Sequence, residues 1–76
     1  MAKRPPITNR VKELREAHDN MSQSALAKAI GVTRQTVIAI EQGRYSPSLE
    51  SAFRISREFG VGLEDVFGWD EAADQS

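Results

Sequence analysis

Three polar side chains stand together in the stretch GVTRQTVIAIEQG, between Gly31 and Gly43. Arg34, Gln35 and Thr36 can all donate hydrogen bonds. Arginine offers a planar fork of donors, and glutamine offers a donor and an acceptor side by side, so each can hold a flat polar surface through two hydrogen bonds. The chemistry to expect here is recognition through hydrogen bonding.

The apolar residues of this stretch decide which side chains a partner can reach. Val37 and Ile40 have the spacing of the inward side of a helix, whose period is 3.6 residues. Five residues then lie outward or at the helix margin: Arg34, Gln35, Thr36, Ile38 and Ala39. The DNA major groove admits a helix, arginine can bind both guanine acceptors, and glutamine can satisfy adenine. The pattern therefore favours base reading over an ordinary solvated helix face.

Two helices with a very short connection must position these side chains. Ser22 can cap one helix, which Gly31 ends, and Thr33 can cap the next. Only Gly31 and Val32 remain to make the turn, which is typical of two helices that cross steeply. Ala27 lies four residues before Gly31 and is small enough for the close approach. This spacing predicts a helix-turn-helix.

A first helix is predicted upstream of this pair. Thr8 or Asn9 can cap it, and Asp19 or Asn20 can take the left-handed conformation that ends it. Three of its positions recur at helical spacing: Val11, Leu14 and His18.

Two more helices are predicted downstream. Ser46 as a cap with Pro47 at the first helical position begins the fourth, which ends at Gly60, and the last runs from Leu63 to Phe67. Because no stretch alternates as a strand does, the predicted class is all-α, with five short helices in one domain.

Composition limits how this domain can be stabilised. A chain of 76 residues buries only about 60% of the surface that its unfolded form exposes. With no cysteine and one histidine, neither a disulfide nor a structural metal is expected, which leaves oligomerisation as the supplement. The longest apolar run, Val37 to Ile40, is far too short for a membrane span, so a soluble, cytoplasmic protein without cofactor is expected.

Charge is divided unevenly along the chain. Residues 1–57 hold all 10 Lys and Arg and five of the 11 acids, whereas residues 58–76 hold six acids and no base. This division suggests that the basic part meets a polyanion, although a solvated acidic tail is an equally common explanation. We expect a basic arm over residues 1–7 and an acidic tail over residues 70–76.

The residues from Ser22 to Trp69 resemble the Cro/C1-type (XRE-family) helix-turn-helix domain, of the lambda-repressor-like fold, and the match covers about Thr8 to Trp69. The resemblance implies that Arg34, Gln35, Thr36 and Ala39 face DNA bases. It also implies contacts to phosphates from the start of the preceding helix and from the following loop: Gln23, Gln42, Arg44 and Tyr45. Arg44 could equally be a solvated charge and Tyr45 a packing residue.

Other positions are less settled by the resemblance. Arg10 and Lys12 are plausible phosphate contacts at the start of the first helix. Ile38 stands where a small polar residue is more usual, so it could touch a thymine methyl or simply pack. The family often pairs the glutamate at the place of Glu41 with an arginine on the first helix, and Arg15 holds that place here. A structural Arg15–Glu41 ion pair is therefore expected.

Apolar residues near the end of the chain suggest a partner surface. Leu63, Val66, Phe67 and Trp69 exceed what one small core needs, and exposed apolar surface usually marks an interface. The alternative is that Phe67 and Trp69 fold back over the first helix. Both hold if residues 67–69 pair as a short strand with residues 6–8.

These observations predict a sequence-specific, homodimeric repressor that reads an inverted repeat in double-stranded DNA, associated with the nucleoid. The alternative is an antitoxin-like or other protein-interaction module that also binds DNA. An enzyme is not expected, because His18 and Asp19 lie in a short turn without a pocket. No small-molecule effector is evident.

Overall fold

The computed structural model describes residues 5–75, so most of the predicted basic arm and the last residue of the acidic tail lie outside it. Within that range the elements follow in this order: β1 (Ile7–Asn9), α1 (Val11–Ala17), α2 (Gln23–Ile30), α3 (Arg34–Glu41), α4 (Leu49–Phe59), α5 (Leu63–Val66), β2 (Phe67–Trp69) and α6 (Glu71–Gln75). The helical class is confirmed, with six described helices instead of five.

The caps of α2 and α3 lie where the sequence predicts them. The Ser22 hydroxyl accepts a hydrogen bond from the Ala25 amide at 3.0 Å, and the Thr33 hydroxyl accepts one from the Thr36 amide at 3.2 Å. Each cap satisfies one of the free amides at the start of its helix. The two helix starts are therefore set by local chemistry.

The turn between α2 and α3 depends on a left-handed glycine. Gly31 has a φ of 78°, and its amide and that of Val32 both donate to the Ala27 carbonyl. This arrangement satisfies a carbonyl at the end of α2 and changes the direction of the chain within two residues. Ala27 itself is buried, as its predicted role at the helix crossing requires.

One hydrophobic core joins the first five helices, and Phe67 of β2 packs against it. It contains eight buried residues: Val11, Leu26, Ala27, Ile30, Val37, Ile40, Ile55 and Val66. The core thus takes residues from α1 to α5, and the inward side of α3 is fixed by contacts with several elements at once.

The strands β1 and β2 form the predicted pairing, shifted by one residue. They run antiparallel, with Ile7 opposite Trp69 and Asn9 opposite Phe67, whereas residues 6–8 were expected to pair. Asn9 is held in the ladder because its side-chain amide also donates to the Ile40 carbonyl at 2.8 Å, at the end of α3. The sheet is thereby attached to the helix-turn-helix.

The predicted start of α4 is wrong by two residues. Ser48, and not Ser46, is the cap, since its hydroxyl accepts from the Ser51 amide at 3.1 Å. Pro47 therefore precedes the helix. Both serines around the proline are residue types that cap helices, but only Ser46 is followed by a proline, and this signature selects the wrong one.

The predictions for α1 need similar corrections. Its cap position is Arg10, while the Asn9 side chain accepts only from the Val11 amide, at 3.1 Å. The left-handed conformation predicted for Asp19 or Asn20 is confirmed, and both residues adopt positive φ, at 58° and 51°. His18 is exposed instead of inward, and its ring meets Phe59 edge-on at 5.6 Å.

Two boundaries near the C-terminus also differ. The helix predicted to end at Phe67 ends at Val66, because Phe67 is taken into β2. The acidic segment includes the short helix α6, where the Asp70 carboxylate accepts from the amides of Ala72 and Ala73 at 3.1 and 3.3 Å. Asp70 acts there as a cap.

Candidate nucleic-acid interface

The rotation of α3 matches the prediction from its apolar spacing. Val37 and Ile40 are buried, and Arg34 and Gln35 are exposed at the start of the helix. The other three residues predicted to face outward or to the margin are half-buried: Thr36, Ile38 and Ala39. The first turn of the helix therefore exposes two long polar side chains, and the other side chains of its outward side are half-buried.

Thr36 has a local partner. Its hydroxyl lies 3.0 Å from the hydroxyl of Thr33, the residue that caps α3. Either oxygen can donate in this pair, so the Thr36 hydroxyl contributes to the start of the helix as well as standing beside Arg34 and Gln35.

The expected ion pair between α1 and α3 is present. The Arg15 Nε lies 2.7 Å from one Glu41 carboxylate oxygen, and Nη2 lies 3.1 Å from the other. The Arg15 and Glu41 side chains are only 11% and 6% exposed. Hydrogen bonding to Glu41 and its charge raise the pKa of Arg15 above its usual value, against the opposing effect of burial.

This ion pair is the centre of a larger network. Arg15 also donates from Nη1 to the Met21 carbonyl at 2.8 Å, and Gln23 donates from Nε2 to Glu41 at 3.1 Å. The network connects α1, the turn after it, the first residue of α2 and the last residue of α3. Because the parts are paired, no buried polar side-chain atom in the described region lacks a partner.

The bond to Gln23 is a feature that sequence reasoning missed. Gln23 is predicted to contact a phosphate. Its side-chain amide carries two hydrogens, and the bond to Glu41 uses one of them. The spacing along the chain carries no signal of this bond, because Gln23 and Glu41 are 18 residues apart.

A shallow groove of about 260 Å³ lies beside this network. It brings together residues of α1, of α2, of the second half of α3 and the residue that follows α3: Lys12, Arg15, Gln23, Ile38, Glu41 and Gln42. The structure thus places Gln23 and Gln42, both expected at phosphates, on one concave surface, with the exposed Lys12 at the same place.

The loop after α3 carries two more of the expected contacts. Gly43 has a φ of 73°, and the Arg44 amide donates to the Ala39 carbonyl at 3.0 Å. The side chains of Arg44 and Tyr45 are exposed. Arg10, at the start of α1, is also exposed, but its guanidinium lies 3.5 Å from the Glu13 carboxylate.

The cluster predicted as a partner surface is not one exposed surface. Val66 is only 1% exposed and belongs to the core, so it offers almost no surface to a partner. Leu63 and Phe67 are half-buried, whereas Trp69 is 55% exposed. The four apolar residues of the cluster are therefore divided, because some of them pack in or against the core while Trp69 remains exposed.

The described residues contain no group of three or more His, Cys, Asp or Glu side chains able to hold a metal ion. Between residues 5 and 75, no helix is both long enough and apolar enough to cross a membrane.

Two short helices joined by a glycine turn, with an exposed polar first turn on the second, define a helix-turn-helix domain. The sequence model of the helix-turn-helix family matches residues 11–66. The chain belongs to this family, in its Cro/C1 (XRE) type.

The chain is also similar to proteins described as regulators. It is 51% identical over 65 residues to an uncharacterised HTH-type transcriptional regulator of Methanocaldococcus jannaschii, across 86% of this chain and 97% of that protein. It is 30% identical over 60 residues to the cryptic phage CTXphi transcriptional repressor RstR of Vibrio cholerae, across 79% of this chain and 53% of the repressor.

A similar fold occurs in a crystal structure of a Bacteroides fragilis protein. The TM-score is 0.71 at 19% sequence identity, and the likeness covers 82% of this chain and 98% of the other. At this identity the comparison shows the shared fold.

Proposed function

We propose that the protein is a homodimeric transcriptional repressor of the cytoplasm and nucleoid, which reads an inverted repeat in double-stranded DNA through the start of α3. The observation that carries the proposal is the rotation of α3, which buries Val37 and Ile40 and leaves Arg34 and Gln35 exposed. Membership of a family of transcriptional regulators supports DNA binding. The similarity to a named repressor supports repression as the outcome.

The base-reading surface is the outward side of α3. Arg34 binds guanine through two hydrogen bonds and Gln35 binds adenine in the same way. Thr36 adds a hydroxyl at the margin, Ala39 lets the helix lie deep in the groove, and Ile38 contacts a thymine methyl.

Phosphate contacts hold the domain in register on the duplex. Gln23 uses its second amide hydrogen together with the free backbone amides at the start of α2. Gln42, Arg44 and Tyr45 contact the strand at the other end of α3, and Arg10 adds a weaker contact because Glu13 shares its charge.

Two subunits place two such helices on the same side of the duplex. Half-sites one helical turn apart, about 34 Å, suit this arrangement. From the cluster predicted as the interface, three residues keep accessible surface in the single subunit: Leu63, Phe67 and Trp69.

Arg34→Ala and Arg44→Ala test the division between base reading and phosphate contact. Sites are first selected from random duplexes, and the affinity of each variant is then measured for selected and altered duplexes over a range of salt. Arg34→Ala is expected to cost about 1–3 kcal/mol and to relax the preference at one base pair. Arg44→Ala is expected to weaken all duplexes alike and to lower the salt slope by about one.

The pair of variants is its own control, since each removes one exposed arginine. If both relaxed sequence preference, or if neither did, the assignment of roles would be wrong. Failure of the unmodified protein to select any duplex would contradict the proposed function itself.

A further inference from the structure

An exposed apolar strip lies on α4, where the sequence reasoning did not expect a partner. Leu49 is 69% exposed and Phe53 is 50% exposed. Residues four apart lie on the same side of a helix, so these two side chains form one continuous strip. Exposed apolar surface of this kind marks interaction sites in small proteins.

The strip is not left over from an incomplete core. Ala52, Ile55 and Ser56 form the inward side of α4 and are all buried. The Ser56 hydroxyl donates to the Ala52 carbonyl at 3.0 Å, so the polar group on that side is satisfied. The domain therefore packs α4 without using Leu49 or Phe53.

Charged residues continue this surface, which we call the α4 face and define as Leu49, Glu50, Phe53 and Arg57. Glu50 lies three residues before Phe53 and Arg57 lies four residues after it, at helical spacing for one side. The Glu50 side chain is exposed, and its carboxylate forms an ion pair with the exposed Arg54 guanidinium at 2.8 Å. An acid stands at one end of the face and a base at the other.

This order of charges is self-complementary under a two-fold axis. If two α4 helices pack antiparallel with their Phe53 side chains at the axis, the Glu50 end of each lies level with the Arg57 end of the other. Leu49 is then covered by the aliphatic stem of the opposing arginine, and opposite charges meet at both ends. A parallel arrangement would instead place like charges together.

We infer that the α4 face is the principal contact between two copies of this chain. The inference rests on the homodimer of the proposed function and supplies its contact, which lies on α4 and not at Trp69. The second copy is the occupant that this surface fits, because one face carries both members of each charge pair.

Sedimentation velocity without DNA, over a range of protein concentrations, tests the inference. Phe53→Ser is expected to weaken the dimer about 30-fold or more, the size of effect found when a central aromatic anchor is removed. Trp69→Ser is the matched control, since it also removes one half-exposed aromatic side chain, and it is expected to leave the dimer constant within about threefold. Circular dichroism verifies that both variants are folded.

A charge exchange separates a direct contact from a general loss of stability. Glu50→Arg and Arg57→Glu are each expected to weaken self-association, because like charges then meet at both ends of the contact. An equal mixture of the two variants is expected to form a heterodimer, in which both ends again pair opposite charges. Destabilised folds would not be rescued by mixing.

The outcomes are distinguishable from failure of the proposed function. A dimer lost in Trp69→Ser but kept in Phe53→Ser, or a mixture that fails to associate, would overturn the inference and leave the proposed homodimer standing. A protein that stays monomeric at all concentrations would overturn the inference and the homodimer together, and would leave DNA reading to be tested by itself. None of these measurements uses DNA, whereas duplex selection tests the proposed function directly.

Discussion

The arginine at position 15 and the glutamate at position 41 show how far single residues can be predicted. Their pairing followed from a family resemblance and is present at 2.7 Å. The contribution of Gln23 did not follow, because the hydrogen bond to Glu41 depends on how close α2 comes to the end of α3. Likewise, Arg34 and Gln35 were assigned to the exposed side from the period of α3 alone, since Val37 and Ile40 leave only one rotation.

Removing one member of the buried pair should cost more than removing both. Arg15→Met leaves the Glu41 carboxylate buried without its main partner, and Glu41→Leu does the same to the guanidinium. Each is expected to lower the free energy of unfolding by about 3–5 kcal/mol, whereas the double variant should be less destabilised than either. Urea denaturation measures these differences.

The exposed Arg10–Glu13 pair provides the comparison for this experiment. Glu13→Ala is expected to change the free energy of unfolding by less than about 1 kcal/mol, because both side chains are solvated. If the double variant lost as much as the sum of the single variants, Arg15 and Glu41 would contribute independently.

At the scale of elements, the start of a helix was predicted correctly where one residue could cap it. It was misplaced where two residues could. Ser22 and Thr33 were identified as caps because each is followed directly by the apolar spacing of its helix. The start of α4 was misplaced because both serines around Pro47 can cap a helix, and the proline after Ser46 favours the one that does not. The charge of the acidic segment gives no sign of the helix α6, although Asp70 provides a cap for it.

Gly31→Ala tests the turn that joins α2 to α3. A β-carbon built at Gly31 meets nothing within 4 Å, so the whole penalty comes from the φ of 78°. The expected loss is about 1–2 kcal/mol, the cost of the left-handed conformation for a residue with a side chain. Thermal or urea denaturation measures it.

Gly62→Ala is the matched substitution, since Gly62 caps α5 with a φ of −77°. A β-carbon there would lie 3.2 Å from an Asp65 carboxylate oxygen, and the backbone needs no change. We expect a smaller loss than at Gly31. Equal losses at the two glycines would show that the left-handed turn is not the cause.

At the scale of the whole molecule, the sequence shows how many apolar residues the chain has. It does not show which of them lie in the core and which remain exposed. Val66 and Trp69 were assigned to one interface, yet Val66 lies in the core and Trp69 remains 55% exposed. Exposed apolar surface lies on α4 as well, at Leu49 and Phe53. Sequence spacing cannot make this division, because it depends on which helices pack against each other in three dimensions.

Val66→Ala and Trp69→Ala should therefore affect stability very differently. Val66→Ala removes buried methyl groups from a small core and is expected to cost about 1–3 kcal/mol. Trp69→Ala is expected to cost less than about 1 kcal/mol, because much of the ring is already in water. Both are measured by urea denaturation at protein concentrations too low for association, and a larger loss for Trp69→Ala would contradict this division.

The pairing of β1 with β2 also has a kinetic consequence. Ile7 and Trp69 face each other although they stand near opposite ends of the described chain. Closing so long a loop costs entropy that a ladder of three residues cannot repay alone. During folding the strands are therefore expected to come together late, after the helices have drawn both ends into proximity, and to separate first when the protein unfolds.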